Sequence, residues 1–122
     1  AVPDSGAPDS LLYAADDSEG LRIIDVSDPT TPREIGSLGV TDRALDVAVE
    51  GDLVYVVDGS FGLRVIDASN PAAPQEVASY QSPFASSAVS VEQGLVYLSN
   101  GRLSVLRYPP LPARLWLPLV LR

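Results

Sequence analysis

The stretch Gly20–Pro32, GLRIIDVSDPTTP, returns forty-two residues later as Gly62–Pro74, GLRVIDASNPAAP. Laid side by side without a gap, Leu11–Asp52 and Leu53–Gly94 agree at seventeen of 42 positions. The identities include Tyr13/Tyr55, Asp16/Asp58, Gly20/Gly62, Arg22/Arg64, Asp25/Asp67, Ser27/Ser69, Pro29/Pro71 and Glu34/Glu76. A third copy opens at Leu95 as LVYLSNGRLSVLRY. It keeps Tyr97, loses two residues in the next turn, and then sets LSVLRY on LRVIDA. A register held this long means one structural unit used repeatedly, each copy packing on its neighbour.

Inside a copy, Val, Ile, Leu, Tyr and Ala gather in short runs separated by Gly, Pro, Asp, Asn and Ser. That is the pattern of strands and turns, and no sustained helical period competes with it. Four strands fit the central copy: ALDVAVEG, LVYVVDG, GLRVIDAS and PQEVASYQ. Glu50–Asp52 supplies a tight hairpin, and Asp58–Gly62 supplies glycine where positive φ is needed. Ser69–Pro74 places an Asx turn before a proline that cannot continue a ladder. LVYVV and LRVI alternate only weakly, so both of their faces are expected to be covered.

A four-stranded antiparallel unit of this size is that of a β-propeller blade. The expected fold is therefore all-β, a partial propeller of about two and a half blades over residues 1–108 (repeats 11–52, 53–94 and 95–108). With strands labelled A to D from the axis outward, the order is B-C-D, A-B-C-D, A-B-C. Ala1-Val2 is read as the stub of an inner strand, and the native product is expected to extend further at its N-terminus. Open sheet edges then call for missing blades or a self-copy to cover them.

LRIIDVSDPTTP and LRVIDASNPAAP resemble the LVIVD repeat, a propeller-type repeat of bacterial and archaeal surface proteins. The resemblance covers roughly residues 11–108. It departs in the third copy, where Ser104 replaces the Arg and Arg107 the Asp. It implies an extracellular or cell-surface location in a prokaryote and marks no particular activity. The tail 109–122 (PPLPARLWLPLVLR) admits two main readings, the outer strand of the last blade or an export or sorting tail. ARLWLPLVLR is similar to short C-terminal endings on some exported bacterial proteins. An interaction strand pairing with another chain is a third reading.

Residue usage removes whole classes of chemistry. The chain has 122 residues and a formal charge of −8, with 16 acidic residues against 8 basic ones, all of them Arg. An acidic surface lacks the basic footprint that nucleic acid requires. There is no His, Cys, Lys or Met. Zinc centres of the usual kind, Ser–His and Cys–His nucleophile pairs and Schiff-base lysines are thereby excluded. No apolar run approaches the ~20 residues of a bilayer-spanning helix. No catalytic residue, metal site or cofactor is assigned.

Residues that recur between the first two copies are expected to hold each copy together. Asp25 and Asp67 cap the turn before proline, and Arg22 and Arg64 pair with an acid on a neighbouring strand. The acidic cluster Asp16, Asp17 and Glu19 lacks the spacing of an established calcium loop and reads as a solvated turn. Binding candidates are the residues that break the repeat near the outer-to-inner connections: Asp42, Arg43, Tyr80 and Phe84. The expected role is a non-catalytic scaffold or recognition module with a protein or glycan partner. The alternatives are a fragment of a hydrolase- or lactonase-type propeller enzyme whose active residues lie in other blades, and a calcium-stabilised adhesion module.

Overall fold

The computed structural model describes residues 10–40, 42–83, 85–108 and the backbone of 119–121. These residues form eleven strands and no helix. β1 (Leu11–Ala15), β2 (Leu21–Asp25) and β3 (Arg33–Leu38) make the first sheet. β4 (Ala44–Glu50), β5 (Leu53–Asp58), β6 (Gly62–Asp67) and β7 (Gln75–Gln81) make the second. β8 (Ala88–Glu92), β9 (Leu95–Ser99), β10 (Leu103–Arg107) and β11 (Leu119–Leu121) make the third. All pairings are antiparallel between neighbours in sequence, and the sheets are open. This is the expected all-β partial propeller. The four strands read from the central copy appear within a residue or two of their expected ends.

The matching segments adopt matching conformations. Tyr13 stands opposite Ile23 in the first sheet, and Tyr55 opposite Val65 in the second. Both outer pairings carry a bulge at the same repeat position, between Ile23 and Ile24 and between Val65 and Ile66. Gly20 and Gly62 open β2 and β6 with φ of +84° and +141°, a region L side chains avoid. A Cβ on Gly62 would lie 2.3 Å from the Tyr80 carbonyl oxygen.

Packing between sheets explains why LVYVV alternates so weakly. Val54 and Val56 turn toward the first sheet and pack with Leu21, Ile23, Ile66 and Ala44. Tyr55 and Val57 turn the other way, toward Val89, Val96, Leu98 and Leu106 of the third sheet. All four side chains are essentially without solvent exposure. β5 is therefore buried on both faces, and each Å² of apolar surface so removed from water contributes roughly 25 cal/mol of stabilisation. The Tyr55 ring also meets Tyr108 edge-on, 6.4 Å between centroids at 80°.

The inner strand β4 lies against both β1 and β8. Backbone links recur at the same repeat position. Asp17 and Ala44 exchange two hydrogen bonds, of 3.0 and 2.8 Å, between the first and second sheets. Between the second and third, the Ser86 N–H donates to the Gly59 carbonyl at 3.0 Å.

Candidate functional site

The polar residues that recur meet one another across three strands. In the first sheet Arg22 on β2 reaches back to Asp16, just past β1, at 2.6 Å, and outward to Glu34 on β3 at 2.7 Å. In the second, Arg64 on β6 reaches Asp58 at the end of β5 at 3.0 Å and Glu76 on β7 at 3.3 Å. The Asp–Arg–Glu row arises because the three positions are diagonal neighbours, two residues off register on adjacent strands, within reach of a long Arg side chain. Asp16, then Glu34, holds the Arg22 guanidinium above its usual range. Arg64 additionally lies over the Phe61 ring, 3.9 Å from its centroid.

Surroundings differ between the two rows. The Asp16 carboxylate is 43% exposed, whereas that of Asp58 is fully buried. Asp58 accepts the Asp42 and Arg43 N–H groups at 3.0 and 3.2 Å, and so fixes the chain as it enters β4. The third sheet changes the chemistry. Asn100 takes the place of the Asp and Ser104 that of the Arg, and both are buried. The Asn100 amide donates to Ser104 Oγ at 3.1 Å and to Ser82 Oγ at 2.8 Å. A charged row has become a neutral amide–hydroxyl cluster.

The second recurring element is the turn that follows β2 in the first sheet and β6 in the second. Asp25 accepts the Ser27 N–H at 2.9 Å together with the Ser27 hydroxyl. Asp67 likewise accepts the Ser69 N–H at 2.9 Å. The Ser27 hydroxyl and then its N–H hold the Asp25 carboxyl below the usual range, and the Ser69 N–H does the same for Asp67. Thr30 lowers Asp28 in the same manner. Asp25, Ser27, Asp28, Thr31, Pro32 and Arg33 line a solvent-open hollow of about 390 Å³. Its carboxylates already bond the turn that bears them, which makes it a by-product of the turn rather than a convergent catalytic pair. Among the described residues, no group of three His, Cys, Asp or Glu side chains is placed to hold a metal ion.

Of the binding candidates, Asp42 accepts the Ser60 N–H at 3.0 Å. Arg43 bridges to Asp17 of the first sheet at 2.7 Å, with both side chains more than half exposed. Arg43 thereby ties the second sheet to the first, whereas the Asp42 contact stays within the second sheet, between the segment entering β4 and the β5–β6 turn. Tyr80 lies in β7 opposite Leu63 and packs on the core shared by the second and third sheets. Phe84 lies outside the described residues. The three described candidates do not form a single cluster: Arg43 serves the junction with the first sheet, Asp42 the entry to β4, and Tyr80 faces the third sheet.

Two further residues hold sheets together and have no counterpart in the reading of the sequence. Asp46 on β4 accepts the Val89 N–H at 2.9 Å. Glu50 accepts the Gln93 and Gly94 N–H groups at 2.5 and 2.9 Å, steadying the hairpin between β8 and β9. An Asp inside the apolar run ALDVAV was the available signal, because a carboxylate at such a position needs a donor.

Among the described residues, no helix is long and apolar enough to cross a membrane. No curated protein matches the chain, and no solved structure does. The family model of the LVIVD repeat matches residues 10–40 and 43–82, the two segments whose strands, bulges and Asp–Arg–Glu rows superpose by repeat position. With more than half its length covered by that match and both copies folded alike, the chain belongs to the LVIVD-repeat family.

Proposed function

We propose that this propeller-type repeat protein acts without catalysis, as a scaffold or recognition module at the surface of a prokaryotic cell. One observation carries the reading. The recurring charged residues bond each other across the strands of their own sheet, as Arg64 does with Asp58 and Glu76. Groups committed in this way support a frame, and the residue types left over include no His, Cys or Lys to serve as nucleophile or base. Partner contact falls to the segments that differ between repeats, Asp42–Arg43 and the stretch around Phe84, and a protein or glycan is the partner class.

The test has two arms. Purified protein offered a panel of esters, lactones and glycosides should give no turnover above buffer. Hydrolysis that co-purifies with the chain and disappears on unfolding defeats the reading. Arrays of surface glycans and envelope proteins should retain the chain, and Phe84→Ala should weaken that retention at unchanged melting temperature. Antibody labelling of intact cells reads the location.

A further inference from the structure

The second and third sheets use equivalent positions to meet a preceding neighbour. In the second sheet these are Val54, Val56 and Ile66, all 0% exposed beneath the first sheet. In the third they are Val96, Leu98 and Leu106, also 0% exposed, beneath the second. In the first sheet the same positions are Leu12, Ala14 and Ile24. Leu12 is 50% exposed there, and Ala14 and Ile24 are only half-buried. The chain thus carries one more acceptor face than it covers with described residues.

The opposite face follows the same logic. Tyr55, Leu63 and Val65 of the second sheet pack on the third. Their equivalents in the third sheet are Tyr97, Leu103 and Val105. Val105 is shielded, while Tyr97 is half-buried and Leu103 is 38% exposed. The polar links repeat as well. Glu50 steadies the next sheet's hairpin, and its equivalent Glu92 is exposed. The Gly59 carbonyl receives the next sheet's inner strand, and its equivalent Gly101 is exposed.

We propose that a second copy of this chain docks head to tail, its third sheet covering the Leu12–Ala14–Ile24 face of the first. The junction is the one the chain already builds twice, between its first and second and its second and third sheets, continued from one molecule into the next. A heterologous contact of this kind forms a ring when the rotation closes. Two copies bring together twice the three sheets of one chain, within the four to eight blades over which propellers close.

The test uses the full chain and two substitutions at exposed positions, Leu12→Arg and Leu103→Arg. Sedimentation equilibrium of the unaltered protein should give a mass of twice 12.9 kDa. Each variant alone should sediment as the monomer, with the strand circular dichroism of the parent. Mixing the two should restore association, because Leu103→Arg retains a sound Leu12 face and Leu12→Arg a sound third sheet. That recovery also shows that both variants are folded. A parent that stays monomeric at high concentration overturns the proposal. So does a dimer broken by Leu12→Arg but not by Leu103→Arg, which means two first sheets meeting face to face. A mixture that fails to associate overturns it too.

Discussion

The Arg64 guanidinium stands 3.0 Å from a carboxylate oxygen of Asp58 that water does not reach. Asp58 accepts two backbone N–H groups besides, so its removal takes an acceptor from three donors at once, of which Arg64 keeps Glu76. Breaking a buried, hydrogen-bonded ion pair from one side costs about 3–5 kcal/mol. The equivalent Asp16–Arg22 contact is exposed on both sides, and such pairs contribute about 0–1 kcal/mol. Urea unfolding should therefore separate Asp58→Ala from Asp16→Ala by at least about 2 kcal/mol. Equal losses would show that burial does not distinguish the two rows.

The third sheet offers the inverse experiment. Asn100 is 1% exposed and lies beside Ser104, which has no charge to offer. Asn100→Asp keeps the shape and introduces an anion without a guanidinium. It should cost about 3 kcal/mol or more at neutral pH, and less at acid pH, where the carboxyl is protonated. Adding Ser104→Arg rebuilds the Asp–Arg pair of the other two sheets, without the outer Glu, and should recover at least about 1 kcal/mol. A double variant no more stable than Asn100→Asp would mean that the third site cannot house the charged arrangement.

The parts of this fold that were legible in the sequence are those a residue type announces. Gly62, Pro71 and Pro74 bracket β6 and its following turn, so the strand ends could be read from backbone chemistry alone. Asp25 and Asp67 bond a neighbour two residues away, a relationship visible in any short window. Arg22 and Arg64 could be assigned an acidic neighbour because both repeats carry the same pair of acids. Asp46 showed by its place in an apolar run that it needs a donor, but neither its partner nor those of Glu50 were legible, since these are backbone N–H groups 43 or 44 residues further on. A backbone donor leaves no mark in the sequence. The same reason hides the roles of Asp42 and Arg43. Their N–H groups go to Asp58, and only the arrangement of adjacent sheets brings Arg43 to Asp17.

Gly36 gives a test of how closely the first two sheets approach. A Cβ there would lie 1.9 Å from the Pro71 carbonyl oxygen in the turn after β6. The equivalent residue of the second sheet is Ala78, so the repeat itself does not demand glycine; the neighbouring sheet does. Gly36→Ala should push the sheets apart and cost about 1–3 kcal/mol. Gly39→Ala, which meets nothing within 4 Å, should be neutral or stabilise by a few tenths of a kcal/mol, roughly, through the unfolded chain. Thermal melts of the two variants decide the matter, and a harmless Gly36→Ala would mean that the two sheets do not meet this closely.

Stability should fall at both ends of the pH scale, for different reasons. Asp25, Asp28 and Asp67 have carboxyl pKa values held below the ordinary 3.8 by turn hydrogen bonds, chiefly from Ser27, Thr30 and Ser69. When pH falls through 3.8 the unfolded chain takes up protons first. The contribution of these groups is therefore complete above that value and lost below it. Tyr55 works in the opposite sense. Burial, then Glu50 and Tyr108, pushes its hydroxyl from 10.0 up to about 12. The unfolded chain then releases its proton first, so stability present below pH 10 is lost on the way to 12, by on the order of 2 kcal/mol. Tyr13 is raised as well, by burial and then Asp52, so part of the alkaline loss is its own. The urea midpoint followed across pH should show a plateau with two falling limbs. Asp67→Asn should shallow the acid limb alone and Tyr55→Phe the alkaline limb alone. An alkaline limb unchanged in Tyr55→Phe would remove Tyr55 as its source.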